Sequence, residues 1–220
     1  WQGNLSALLP SKVQNKKTVH QPALQLQDAQ RWWQDLKTRD GMGAKALQFL
    51  TLTTCRSGEA RGMRWEEIEF FSEERVKLLG FYGQWTIPAE RMKANREHVV
   101  PIIKPMKDLL RPMQKDEGLA FPSSKNTELS DMTLSALMRR IHCADNLGFV
   151  DAQSGRPAVP HGLRSTFRSW VAENAYSREA AELQLAHKFG SEVEQAYHRT
   201  RLLAQRAELL VQWHDFLEEQ

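Results

Sequence analysis

The apolar residues of this chain change their period twice, and that change limits the folds open to it. From DAQRWWQDLK the apolar positions recur at helical spacing, and a second helix is predicted through AKALQFLTLTT, followed by the turn-rich SGEARG. From WEEIEFF to HVVPI short runs of β-favouring residues take over, with SEE and FYGQ as the expected turns. No helix-length crossover is read between those runs, so the strands are expected to pair antiparallel. Helical spacing then returns. Ser130 is placed to cap a helix through MTLSALMRRIHCA, Pro160 sits just ahead of one beginning at HGLRSTFRSWVAEN, and Ser177 opens another expected to end near Gly190. Ser191 and Glu194 have the spacing of a capping box, which puts Tyr197 in the next short helix. The last segment, LLAQRAELLVQWHDFL, sets Leu202, Leu209, Trp213 and Phe216 along one stripe, to be covered either by its own core, the favoured reading for an isolated fragment, or by a neighbouring subunit. The expected fold is mainly α with a small antiparallel β-sheet, an α+β domain without internal repeats.

Residues 1–25 are polar, lack periodicity and contain Pro10 and Pro22. They read as a linker or the tail of a missing amino-terminal domain, with the globular part over 26–220. The chain opens on Trp1 and carries no apolar run long enough for a bilayer span or a signal peptide, so a cytoplasmic fragment of a longer protein is expected. Cys55 and Cys143 lack the spacing of a zinc site or disulfide framework, and both are expected as small buried hydrophobes in a reducing compartment.

The balance of 30 Lys+Arg against 27 Asp+Glu leaves a net charge of +3, too weak to argue for nucleic acid by itself. Its distribution says more. Residues 1–27 hold Lys12, Lys16 and Lys17 without an acid, and residues 91–111 hold six basic residues against two acidic. Such runs are usually solvated faces and gain meaning only beside a group that must hold phosphate.

Candidates for that group occur in order along the chain. Arg56 and Glu59 stand three apart, as do His161 and Arg164, the latter pair near an expected helix start where backbone N–H groups and the helix dipole favour an anion. Either pair alone is explained as a surface ion pair or a satisfied helix-start histidine. Two arginines from separate segments, together with His161, His187 and Tyr197, exceed what packing requires. Arginine grips phosphate oxygens in a planar fork, and a phosphodiester under in-line attack spreads charge over its equatorial oxygens. No carboxylate cluster suited to Mg²⁺ stands beside them, so metal and cofactor are both expected to be absent.

The ordered set of Arg56 and Glu59 in R-x-x-E, Lys93 in the hairpin region, His161 and Arg164 in H-x-x-R, His187 and Tyr197 resembles the catalytic domain of a tyrosine recombinase. LTTCRSGEARGMRWEEIEF and LAHKFGSEVEQAYHRTRLLAQRAELLVQWHDFL are similar to integrases of prophages and genomic islands, over roughly residues 25–220. The resemblance implies that Tyr197 attacks a scissile phosphate to leave a 3′-phosphotyrosyl bond and a free 5′-hydroxyl. It implies that Arg56 and Arg164 clamp the non-bridging oxygens with His161 and His187, that Lys93 protonates the leaving oxygen, and that Glu59 supports the site. Implied partners are double-stranded DNA attachment sites, a homotetramer on DNA that is a monomer as an isolated fragment, and DNA-bending accessory proteins, acting in the bacterial cytoplasm at the nucleoid, with no membrane. Ionising a free phenol at neutral pH costs about 4 kcal/mol, which nearby cations and a positioned base reduce. Arg91, Arg96 and Lys104 compete with Lys93 for phosphate, and Tyr176 is the rival nucleophile, read more simply as a packing ring. The alternatives in function are relaxation of supercoils by a type IB topoisomerase-like enzyme and a non-catalytic DNA-binding module.

Overall fold

The structure, a computed structural model, describes residues 20–187 and 202–219. Gly190, the Ser191 to Glu194 capping box and Tyr197 lie outside the described residues. Helix α1 (Leu26–Lys37) buries Ala29, Trp32, Trp33 and Leu36 along a single stripe. Helix α2 (Met42–Thr53) is apolar over most of its circumference and runs through the core. It ends at Thr54, whose left-handed backbone (φ 55°, ψ 22°) turns the chain into the short α3 (Ser57–Arg61).

Strands β1 (Ile68–Phe70), β2 (Gly83–Ile87) and β3 (His98–Ile102) form an antiparallel sheet in the order β1-β2-β3, with Trp85 opposite both Ile68 and Val100. The antiparallel pairing is as expected, but the two turns differ. SEE opens a short helix, α4 (Glu73–Leu79), capped by Ser72 Oγ and closed by Gly80 at φ 80°. Seven residues are too few for a helical period to stand out, yet they fit between antiparallel neighbours. FYGQ runs into β2, where Gly83 lies opposite Phe70 because a Cβ there would meet the Glu69 carbonyl. Pro101 is accommodated because β3 is an edge strand.

The chain continues through α5 (Lys104–Leu110) and α6 (Asp131–Ala144), which buries Leu134, Leu137, Met138 and Ile141. Cys143 falls off that stripe and is exposed, so only Cys55 is the buried thiol expected. Helices α7 (Gly162–Glu173) and α8 (Arg178–Gln184) follow, the second capped by Ser177 Oγ accepting from the Ala180 N–H at 3.2 Å. Helix α8 stops well before Gly190. Ala186, at φ 51°, takes the left-handed position, with its N–H on the Leu183 carbonyl (3.1 Å) and that of His187 on the Glu182 carbonyl (2.9 Å). An alanine thus holds the place where a glycine is the usual signal.

The final helix, α9 (Leu203–Glu218), packs against α1, α2, α8 and β3 of its own chain. Leu209, Leu210, Trp213 and Leu217 are buried, Trp213 Nε1 donates to the Thr51 carbonyl at 2.9 Å, and the Trp213 ring stacks on Phe216 at 5.5 Å. The stripe therefore closes the core in cis.

Ordered packing reaches back to Pro22. The Val159 N–H donates to the Pro22 carbonyl (3.1 Å), Thr166 Oγ1 to the Leu24 carbonyl (2.7 Å), and Pro22 and Leu24 are buried. Gly162 is needed for space, since a Cβ on it would overlap the Pro22 carbonyl. Gly162→Ala is expected to cost about 1–3 kcal/mol through overpacking, read as a lowered urea midpoint at unchanged m-value.

Candidate active site

The site is assembled from the ends of helices. Arg56 is the residue ahead of α3, and the buried Glu59 accepts both its backbone N–H and its Nη1, each at 2.7 Å. Glu59 satisfies a helix-start N–H and aims the guanidinium at the same time, which a surface ion pair would not do. His161 is the residue ahead of α7 and reaches solvent. Lys93 lies exposed in the turn between β2 and β3.

Arg164, in the first turn of α7, is only 5 % exposed. Its Nη1 donates to the Thr54 carbonyl at 2.5 Å, and its Nη2 to the Leu185 carbonyl at 2.6 Å and to His187 Nε2 at 3.2 Å. The two carbonyls belong to the residues that end α2 and α8, so the negative ends of two helix dipoles converge on one guanidinium. The cation is fixed before any ligand arrives.

His187 lies just past the left-handed turn at Ala186, and its Nδ1 is 2.7 Å from the buried carboxylate of Glu182. The other Glu182 oxygen pairs with Arg168 Nε at 2.8 Å. Gln184 bridges the site to the last helix: its Nε2 donates to the Thr53 carbonyl (2.6 Å), and its Oε1 accepts from Arg206 Nε (3.0 Å) and Nη2 (2.9 Å). Arg206, also buried, donates further to the Val99 carbonyl at 2.7 Å. Glu182, Gln184 and Arg206 were not singled out in the sequence. Their one signal is polarity at positions where an amphipathic helix turns inward.

Arg56, Arg164, His161, His187 and Lys93 are therefore brought together, and they repel one another. Burial, then Arg56, pushes Arg164 down to about 10, still protonated at neutral pH. Enclosure by protein, then Arg164, Arg56, His187 and Lys93, holds His161 below the ordinary imidazole value. Enclosure likewise lowers His187, against the upward pull of Glu182, with Arg164 and Arg56 adding to the depression. These groups crowd positive charge around a place that an anion would relieve.

Of the rivals, Arg96 is exposed in the same turn as Lys93, while Arg91, Lys104 and Tyr176 are engaged elsewhere. Arg91 pairs with Glu67 at 2.9 Å and donates to the Gly62 carbonyl, and Lys104 pairs with Asp108 at 2.5 Å. Tyr176 lies beyond the far end of α7, about 18 Å along the helix from His161, its ring 4.7 Å from Trp170 and its hydroxyl donating to Gln212 at 3.5 Å. Burial, then Glu59, drives the Cys55 thiol up to about 12, so it is inert as a nucleophile. Among the described residues no group of three or more His, Cys, Asp or Glu is arranged to hold a metal ion. None of their helices is long and apolar enough to cross a membrane.

The profile of the phage integrase family matches residues 23–202, and the chain belongs to that family. A prophage integrase of Escherichia coli K12, IntA, is 32% identical over 176 residues, covering 78% of this chain and 37% of the relative. The integrase of Shigella phage Sf6 is 28% identical over 177 residues, covering 79% and 41%. The chain thus spans about two fifths of the length of these curated relatives. Among solved structures, a lambda integrase dimer bound to a core site superposes with a TM-score of 0.57 at 21% identity, over 79% of this chain and 60% of that one. The XerH site-specific recombinase bound to its difH substrate gives 0.58 at 15% identity, over 81% and 52%. The fold is that of a tyrosine recombinase catalytic domain, mainly α with a three-stranded antiparallel sheet.

A third histidine, His98, has its Nε2 3.2 Å from the Gln184 carbonyl. Burial, then Arg206, lowers its pKa to about 3. All three histidines have folded values below the free imidazole value of about 6.5, so the unfolded chain takes up protons first as the pH falls. Stability is full above about pH 6.5 and is lost below it, His98 alone contributing a slope of up to about 1.4 kcal/mol per pH unit down to its folded value. Urea midpoints measured from pH 8 to 4 should fall accordingly, and His98→Gln should flatten the decline.

Proposed function

We propose that the chain from Pro22 onward, a few residues ahead of the boundary at 26 expected from the sequence, forms the catalytic domain of a site-specific DNA recombinase, with the residues before it as the linker to an amino-terminal DNA-binding domain. The observation that carries this reading is the gathering of Arg56, held by Glu59, of His161 at the start of α7 and of His187, 3.2 Å from Arg164 Nη2, around an Arg164 pinned by two helix-end carbonyls. A phosphodiester oxygen pair placed against Arg56 and Arg164 relieves the repulsion among these groups, and the relief grows as the transition state gathers charge. Tyr197 attacks the phosphorus and forms a 3′-phosphotyrosyl bond as the bond to the 5′ oxygen breaks. Lys93 gives its proton to that leaving oxygen, and His161, held neutral at working pH, takes the phenolic proton. The covalent bond retains the phosphoester's energy, so attack by a second strand's 5′-hydroxyl restores the tyrosine without ATP or metal.

Relatives bear on the partners. One solved lambda integrase is a tetramer on a Holliday junction, at a TM-score of 0.57. By analogy, this chain acts on double-stranded attachment sites as a tetramer, with accessory proteins bending the DNA, in the bacterial cytoplasm at the nucleoid. The family match favours integration and excision of mobile DNA over supercoil relaxation or passive binding.

The test is incubation of the full-length protein with a nicked suicide duplex of the attachment site, followed by denaturing electrophoresis. Wild type should form a covalent adduct and Tyr197→Phe none. Arg164→Lys, which keeps the charge and loses the fork, should slow adduct formation by about 10²-fold or more. An equal adduct from Tyr197→Phe, or none from wild type, defeats the reading.

A further inference from the structure

We propose that Glu182 is a positioning residue for His187: its buried carboxylate holds the imidazole by Nδ1, so that Nε2 is the atom presented to the phosphate and the ring can gain a proton when phosphate binds. The inference rests on the strand-cleavage reading above and assigns one further residue to it.

The geometry is specific. Glu182 is 5 % exposed and holds His187 twice, by its backbone carbonyl on the His187 N–H at 2.9 Å and by its carboxylate on Nδ1 at 2.7 Å. An ionised carboxylate only accepts, so the hydrogen between them sits on Nδ1. Nε2 then carries the lone pair, and Arg164 Nη2, 3.2 Å away, donates to it. In this arrangement His187 is an acceptor.

A phosphodiester oxygen is also only an acceptor. For His187 to donate to it from Nε2 while Nδ1 stays on Glu182, the ring must take one proton from solvent, becoming an imidazolium between two anions. The groups facing the ring set the balance. Arg164 and His161 from α7 and its start, and Arg56 ahead of α3, oppose the proton, while Glu182 from α8 favours it. Arg168, paired with the other oxygen of Glu182, tempers that pull. The simpler view is that the contact merely finishes α8. That view leaves the backbone turn at Ala186 to do the same job and gives no reason to bury a carboxylate beneath an imidazole.

The experiment reads His187 directly, by long-range ¹H–¹⁵N correlation spectra of the full chain labelled with ¹⁵N-histidine, its signal assigned by its loss in His187→Gln. Wild type should show the Nδ1–H tautomer at neutral pH. Glu182→Gln should move the His187 titration to lower pH, and Arg168→Gln, on an exposed side chain, should move it to higher pH. In the suicide-substrate assay, Glu182→Gln should shift the alkaline limb of adduct formation to lower pH and slow the reaction about tenfold or more at neutral pH. An Nε2–H tautomer in wild type, or a His187 titration unmoved by both substitutions, overturns the proposal. Titrations that shift as stated while wild type forms no adduct overturn the strand-cleavage reading instead and leave the positioning of His187 standing.

Discussion

The buried guanidinium of Arg164 is the interaction on which the rest of the site depends. A charge taken out of water is costly unless it is paired, and here the compensation comes chiefly from main-chain carbonyls at the ends of α2 and α8. The residue is therefore a clasp between two helices, and in the proposed reaction it is a ligand for the phosphate as well. Loss of that clasp would disturb Arg56, which follows the Thr54 turn, and His187, which follows the Leu185 turn. On the proposed reading, affinity for phosphate and integrity of the site rest on the same guanidinium.

The clasp is doubled one residue away. Gln184 holds the Thr53 carbonyl while Arg164 holds that of Thr54, and Arg206 ties Gln184 to the sheet through Val99. Consecutive carbonyls at the end of α2 are thus bound by side chains from two different helices, and α9 takes part through Arg206. The apolar stripe of α9 supplies the burial that makes those polar contacts strong.

Much of this was legible in the sequence, for physical reasons that differ by residue. Trp32, Trp33 and Leu36 repeat at helical spacing because one face of α1 must be dry, and the charged set from Arg56 to His187 stands out because packing does not require it. The short helix α4 was hidden by its length, and Gly83 looked like a turn because close approach and tight turning ask for the same residue. The early end of α8 was missed since alanine, not glycine, adopts the left-handed turn at position 186. Glu182 and Gln184 carried no motif, and their roles follow only from which way α8 faces once Arg164 has been placed. Tyr197, whose importance was read from order along the chain, lies outside the described residues.

The strap of residues 22–24 has a mechanical consequence. It is bonded to Val159 and Thr166 and lies against Gly162, so its anchorage brackets His161 and Arg164 on α7. Tension along the chain ahead of Pro22 would be delivered to the start of α7, within one helical turn of the cations, rather than to the distant sheet. A pull on Pro22 therefore acts through a short lever on the start of α7, where His161 and Arg164 stand.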